Sequence, residues 1–252
     1  MAGPEILLLF AVGMFCGGLN AIVGGGTLIC FPVLLGLGLP PIAANATNTI
    51  GLWPASLAAA HTYLPELKTV RAKLLPRGIV AVAGGTVGAL ALIASGDALF
   101  FQLVPWLISI ATLLFGFSRV IVQQLTKLGA QAGAVLVLSL EFLFAIYGGY
   151  FGAGIGVLLM AALALAGERD PQIANAQKNL LGGLINGAAV VVFVWQGAVV
   201  WGVAIAVAAG AVVGGHFGGR VARIIPAAWL RIGVLAAGAT LAIVYFQRAY
   251  FG

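Results

Sequence analysis

Apolar stretches at 5–22, 25–39, 42–64, 77–95, 98–117, 132–148, 153–167, 173–195, 198–217 and 228–247 fill the chain, separated by short runs of Gly, Pro and polar residues. Runs of this length predict helices, and about 20 helical residues cross a hydrocarbon core of about 30 Å. No strand-length alternation of apolar and polar side chains interrupts them, which argues against a β-barrel. The second and seventh stretches are short. At ~1.5 Å per residue they cover about 21 to 23 Å, so one end of each lies below the membrane surface or each belongs to a broken element. The expected fold class is an all-α integral membrane protein with about 8–10 membrane segments, some of them short broken or re-entrant helices.

Composition sharpens this. Of 252 residues, 62% are apolar and 7% charged, too few polar side chains to clothe a globular domain. A soluble catalytic domain is thereby excluded. The opening MAGPEILLLF carries Glu5 and lacks the basic residues of a secretory signal peptide. Cys16 and Cys30 both fall inside apolar runs and read as small buried side chains; no Cys/His cluster calls for a metal, and no cofactor is expected. The net charge of +6 is spread over loops with no run of basic residues, so it speaks for orientation in the membrane and not for nucleic acid.

Sliding the chain by 130 residues superposes Gly18, Gly24, Gly26, Pro41, Asn45, Gly84, Gly85 and Gly88 on Gly148, Gly154, Gly156, Pro171, Asn175, Gly214, Gly215 and Gly218. This is an internal duplication. The expected organisation is a first transmembrane repeat at 1–118, a cytoplasmic linker at 119–131 and a second repeat at 132–252. Each copy holds an odd number of segments, so the second enters the membrane inverted. Loop charge agrees. Lys68, Arg71, Lys73 and Arg77 lie between the third and fourth segments of the first copy, whereas the matching Trp195–Trp201 loop is uncharged. The next loop reverses the bias, with Asp97 in the first copy and Arg220 and Arg223 in the second. Lys and Arg mark the cytoplasmic side. Arg119 and Lys127 then fall inside, while Arg248 and the mixed Glu168, Arg169, Asp170 loop fit less well.

Inverted repeats place substrate near the bilayer midplane, on broken helices with exposed ends. The matching Gly-interrupted segments, 17–32 and 148–159, contain Gly24, Gly25, Gly26, Gly154 and Gly156. Glycines there permit sharp breaks, and a helix N-terminus favours an anion; they equally serve plain helix packing. Polar helix starts follow, PPIAANATNT with Asn45, Thr47, Asn48 and Thr49, and DPQIANAQKN with Asn175, Gln177, Lys178 and Asn179. Such groups need each other, water or a ligand. For Asn45 and Asn175, helix capping and substrate contact both remain open. Lys178 either snorkels to the cytoplasmic surface or offers a fixed charge to an anion. Glu141, deep in the sixth segment, requires a partner or a proton, which makes it a proton-coupling candidate or a counter-ion to Lys178. His61 and His216 lie near segment ends and read as structural. Most Trp residues suit an interfacial belt, and Trp53 alone is placed to line a cavity.

The Gly-rich breaks followed by Pro and an Ala/Asn/Thr helix start resemble the TauE/SafE family of sulfite exporters and related permeases, also called TSUP. The resemblance covers nearly the whole chain and rests on GGLNAIVGGGTLICFPVLLGLGLPPIAANATNT and on GGYFGAGIG with IANAQKNLLGGLINGAAVVVF. It implies a carrier in the bacterial cytoplasmic membrane that exports sulfite or a related sulfur anion, such as sulfoacetate or thiosulfate, coupled to a proton or ion gradient. The implied site is the pair of breaks at Gly24 to Gly26 and Gly154 to Gly156 with the eight polar residues above. The second break reads GAGIG where the first has GGG, so the half-sites are unequal. Alternatives are an anion channel, which needs a continuous polar pore, and a permease for another small organic anion. An intramembrane enzyme would need a nucleophile beside a base, which two His and two Cys do not supply. Expected partners are the small anion and membrane lipid, with no nucleic acid, and the chain is compatible with a homodimer.

Overall fold

The computed structural model describes residues 3–22, 25–127, 132–221 and 227–251. Among them every regular element is an α-helix: α1 (Gly3–Ile22), α2 (Gly26–Gly36), α3 (Pro41–Thr62), α4 (Leu64–Thr69), α5 (Arg71–Lys127), α6 (Ala134–Tyr150), α7 (Ile155–Leu165), α8 (Pro171–Trp195), α9 (Trp201–Val221) and α10 (Ala227–Tyr250). Each apolar stretch of the sequence is represented. α5 carries two of them, because Gly96 adopts φ 71°, ψ 161°, a conformation open in practice only to glycine, and divides it into arms 71–95 and 97–127. Arg71–Lys127, Pro171–Trp195 and Arg231–Tyr250 contain windows long and apolar enough to cross a membrane.

The exterior is apolar and the interior holds the polar groups. Leu7, Leu75, Val135, Trp195, Ile205 and Ile243 are well exposed, whereas Asn45, Thr47, Asn48, Arg77, Glu141 and Gln177 are buried. In water this distribution would waste most of the hydrophobic driving force. In lipid it is the favourable one, since tails solvate the aliphatic surface and polar atoms must find partners inside. The chain is an all-α membrane protein.

Glycines set the closest helix pairs. Along α1 and α9, Gly13 meets Val207, Gly17 meets Ala211, Gly210 meets Phe10 and Gly214 meets Met14; along α6 and the first arm of α5, Gly84 meets Ala145, Gly88 meets Ile146 and Gly149 meets Gly85. A Cβ at these positions would strike backbone of the facing helix, so the axes approach at the distance that small residues allow. In both pairs the contact numbers rise together, so the partners run parallel. Exchanging the two halves of the chain converts each pair into the other: α1 with α9 becomes α6 with α5. The pairs α3 with α9 and α8 with α5, and α1 with α2 and α6 with α7, exchange in the same way.

Contacts also sort the ends of the bundle. Ile42 N–H donates to Asp97 Oδ1 at 2.8 Å, Val200 N–H to Thr47 Oγ1 at 3.1 Å, and Trp106 Nε1 to Tyr250 Oη at 3.0 Å, which gathers the uncharged Trp195–Trp201 loop at one end. At the other end Arg77 bonds Gln177, Asn175 bonds Tyr63, and Arg231 bonds the Phe115 and Gly116 carbonyls. The basic 68–77 segment and the uncharged 195–201 loop therefore occupy opposite ends of the bundle. Arg223 lies outside the described residues.

Two boundaries differ from expectation. Residues 119–127 continue α5 as helix instead of forming a linker, because no Gly or Pro interrupts the chain between Phe117 and Leu128. The repeat is also not gapless. Gly25 and Gly154, 129 positions apart, cap α2 and α7 in the same left-handed conformation, φ 91° and 79°. Four residues, 37–40, join α2 to α3 and five, 166–170, join α7 to α8, so the offset returns to 130 at Pro41 and Pro171. The extra residue lies in the Glu168, Arg169, Asp170 loop.

Replacing Gly88 by Val should drive α5 from the Ile146 backbone, at a cost of about 1–3 kcal/mol typical of overpacking. Gly133→Ala, with nothing within 4 Å of the added methyl, should leave stability unchanged. Thermal unfolding of the detergent-purified variants checks both.

Candidate functional site

At ~1.5 Å per residue the 11 residues of α2 or of α7 cover about 16 Å, far less than the membrane, so neither spans it alone. Each begins at a glycine in the left-handed region, where the chain breaks away from the preceding long helix and exposes a ring of backbone N–H groups. Local acceptors satisfy them only in part: Gly26 N–H reaches Asn20 Oδ1 at 3.3 Å, and Ile155 N–H reaches Gly152 O at 3.3 Å, both long bonds. Gly24, a predicted site residue, lies outside the described residues.

α3 starts at Pro41 with Pro40 as N-cap and no side-chain cap bond. Asn45 therefore does not cap; its amide donates to Tyr150 O, at the end of α6, at 3.1 Å. Thr47 accepts from Val200 N–H, and Thr49 bonds back to Asn45 O at 2.9 Å. Asn48 is 1% exposed, and its Oδ1 has no hydrogen-bond partner; the Oδ1 of Asn45 is equally orphaned. Trp53 donates its indole N–H to Gly183 O at 2.9 Å and fixes where α3 crosses α8. It also edges an apolar surface groove of about 250 Å³ with Ile50, Pro54, Val190 and Trp201, which is not polar enough to receive an ion.

α8 is capped by Asp170, whose Oδ1 accepts from Gln172 and Ile173 N–H at 2.8 and 3.2 Å. Asn175 is thus released from capping too and donates to Tyr63 Oη at 2.8 Å. Lys178 is half-buried, and its stem crosses the first turn of α7: a methyl placed on Gly156 would sit 3.5 Å from Lys178 Cδ. Among the described residues no carboxylate lies within 4.0 Å of its ammonium. Asn179 is half-buried on the following position.

Glu141 is 3% exposed, as its depth in the sixth segment implied, but its counter-ion is not Lys178. Arg77 Nε stands 3.5 Å from Glu141 Oε1, and Arg77 Nη1 donates to Gln177 Oε1 at 2.7 Å. Gln177 Nε2 in turn donates to Glu168 Oε2 at 3.1 Å, so a polar chain runs from α6 through α5 and α8 to the α7–α8 loop. The reason for the exchanged partner is the start of α5. The helix begins at Arg71, before the apolar stretch does, which carries Arg77 nearly two turns in, to the level of Glu141 on the parallel α6.

The predicted residues accordingly form two half-sites. Asn45 and Asn48 lie on the uncharged side of the Trp53–Gly183 crossing. Lys178 and Asn179 lie on the basic side, and the lysine stem reaches Gly156 in the first turn of α7. Thr47, Thr49 and Asn175 hold structure, and Gln177 serves Arg77. Above the first half-site the fully buried Phe31, Phe100 and Phe151 rings interlock, Phe31 and Phe151 edge-on at 5.3 Å. Sequence reasoning missed Arg77, Glu168 and Asn20; only the helix-forming RAKLLPR run hinted that Arg77 was interior.

Broken helices meeting inside an apolar bundle, with buried polar groups left over, define a membrane transporter. The family model described as Sulfite exporter TauE/SafE matches residues 9–245, and the chain belongs to that family. It is similar to a probable membrane transporter protein of Haemophilus influenzae, 29% identical over 86% of each chain. It also resembles the probable membrane transporter protein ORF9 of a Sinorhizobium species, 30% identical over 86% of this chain and 83% of the relative. The probable membrane transporter protein YfcA of Escherichia coli K12 is 26% identical over 87% and 82%. No solved structure matches.

Arg77→Met alone strands a buried carboxylate and should cost about 3–5 kcal/mol, whereas Arg77→Met with Glu141→Met should recover most of the loss. Chemical unfolding in mild detergent measures both steps of the cycle.

Proposed function

We propose that the protein is a secondary active transporter that moves sulfite or a related small sulfur-containing anion, sulfoacetate or thiosulfate among them, across the bacterial cytoplasmic membrane as a multi-pass carrier. It acts as a carrier and not as an enzyme. The observation that carries the reading is Lys178, a cation lying over the first turn of α7 with no carboxylate within 4.0 Å. A helix N-terminus adds about half a positive charge, and an oxyanion there exchanges its hydration for N–H groups and the ammonium. Gly154, Gly156, Lys178 and Asn179 form the charged half-site, and Asn45 and Asn48 offer neutral amides; Gly25 and Gly26 mark the break at the start of α2.

The family name supports sulfite as substrate. The exchange of helix pairs between the halves, with one end basic and the other uncharged, supports an inverted repeat, a build on which transporters run alternating access. Glu141 is the candidate proton carrier, and export follows from the family's name. The uncharged end is closed by the Phe31, Phe100 and Phe151 cluster, which favours a carrier over an open channel.

Counterflow of labelled sulfite in proteoliposomes should fall at least about ten-fold in Lys178→Ala, since one charge-assisted contact is worth about 1.5–3 kcal/mol. Unchanged counterflow would remove Lys178 from the site. Cysteines introduced at Arg71 and Arg220 should react with an impermeant thiol reagent from one and the same side; reaction from opposite sides would end the inverted-repeat reading.

A further inference from the structure

Two buried groups, Gln177 and Glu141, share one guanidinium unequally. Arg77 is 8% exposed, and its bond to the neutral Gln177 is short, 2.7 Å. Its contact with Glu141 is 3.5 Å and lacks hydrogen-bond geometry, so both carboxylate oxygens are buried without any hydrogen bond. A dry ion pair is stable when hydrogen bonds accompany the charge attraction, and this one has the attraction alone. Gln177 is itself held by Glu168 and immediately precedes Lys178 in the chain, so the guanidinium is anchored to α8 one position from the lysine. The elements packed against α6 bring little else that is charged. α5 brings Arg77, α7 brings no titratable side chain, and α8 brings Gln177, leading to Glu168, with Lys178 at the next position.

We propose that Arg77 is a further substrate-binding residue, for which the transported oxyanion and the Glu141 carboxylate compete, so that proton and anion cross the membrane together. The inference rests on the transporter reading above. When an anion engages Arg77, the Glu141 carboxylate loses its counter-ion in a site where an uncompensated charge is very costly, and it takes up a proton from the water on the open side. Conversely, a protonated Glu141 leaves the Arg77 charge free to attract an anion. The linkage is reciprocal: each ligand strengthens the other by the same factor. The only bond made is the O–H of Glu141, and the same proton leaves to water on the far side when the anion departs. One proton accompanies one anion, in the same direction, so net export runs on the anion's own outward gradient and carries a proton out with it.

Proteoliposomes enclosing a pH-sensitive dye would be given inward gradients of thiosulfate and, in parallel, of methanesulfonate, anions whose charge is constant near neutral pH. The wild-type protein should acidify the lumen as the anion enters. Glu141→Gln should keep counterflow of the labelled anion, lose the proton movement and lose the pH dependence of counterflow. Because Arg77→Gln alone strands Glu141, the arginine is tested in the Arg77→Gln/Glu141→Gln double variant, which should lose the counterflow that Glu141→Gln retains; Arg77→Lys should restore part of it. Protons moving opposite to the anion, or counterflow undiminished in the double variant, would overturn this proposal and leave the transporter reading standing. No flux of sulfite, thiosulfate or methanesulfonate in the wild-type protein would sink both.

Discussion

The interior of a membrane protein offers no water to a polar atom that lacks a partner, and every feature of this chain follows from how that constraint is met or left unmet. Most buried groups meet it. Thr47 takes Val200 N–H, Thr49 returns to its own helix, Trp53 takes the Gly183 carbonyl, and Asn175 takes Tyr63. Among the described residues, buried oxygens without a partner remain on Asn45, Asn48, Glu66 and Glu141, and Lys178 has no carboxylate within 4.0 Å. A membrane protein tolerates such groups where something else is to complete them.

Glycine makes that arrangement reachable. Lipid tails give helices no hydrophobic reason to associate, so α1 with α9 and α5 with α6 hold together by dispersion between backbones that have no Cβ between them. These two tight pairs flank the α3–α8 crossing and keep it rigid. The short helices, by contrast, each hang from a single left-handed glycine, Gly25 or Gly154. Both tight pairs join the first half of the chain to the second, and each short half-helix starts at its own break.

Much of this was legible beforehand. Because in lipid the backbone must close its own hydrogen bonds, apolar runs bounded by Gly and Pro placed most helices to within a few residues, though α4 and the two ends of α5 were missed. The shortness of α2 and α7 and the depth of Glu141 were legible for the same reason. Partners were not. Asn45 and Asn175 read as caps because Asn suits that post, yet Pro40 and Asp170 sit at the actual starts of α3 and α8. Arg77 read as a loop charge because apolar patterning begins at 77, while the helix begins two turns earlier at Arg71. Side-chain pairing across helices depends on axial register, and that register is set by the Gly84 and Gly88 contacts, which spacing alone does not reveal.

Asn48 and Lys178 occupy matching positions, five residues before the Trp53–Gly183 crossing on α3 and on α8 respectively. Symmetry therefore supplies two equivalent half-sites, and chemistry makes them unequal: one offers an amide, the other a charge. On the proposed transporter reading, an anion would be held more firmly on the basic side, where Lys178 and the chain through Gln177 to Arg77 are concentrated. A fixed charge in the other half as well would deepen both wells and slow release on either side, since conduction through a dry site needs binding favourable enough to enter and weak enough to leave. The amide half lets the anion keep hydrogen bonds while it departs from the cation. On that reading the difference between the amide and the charged half serves turnover.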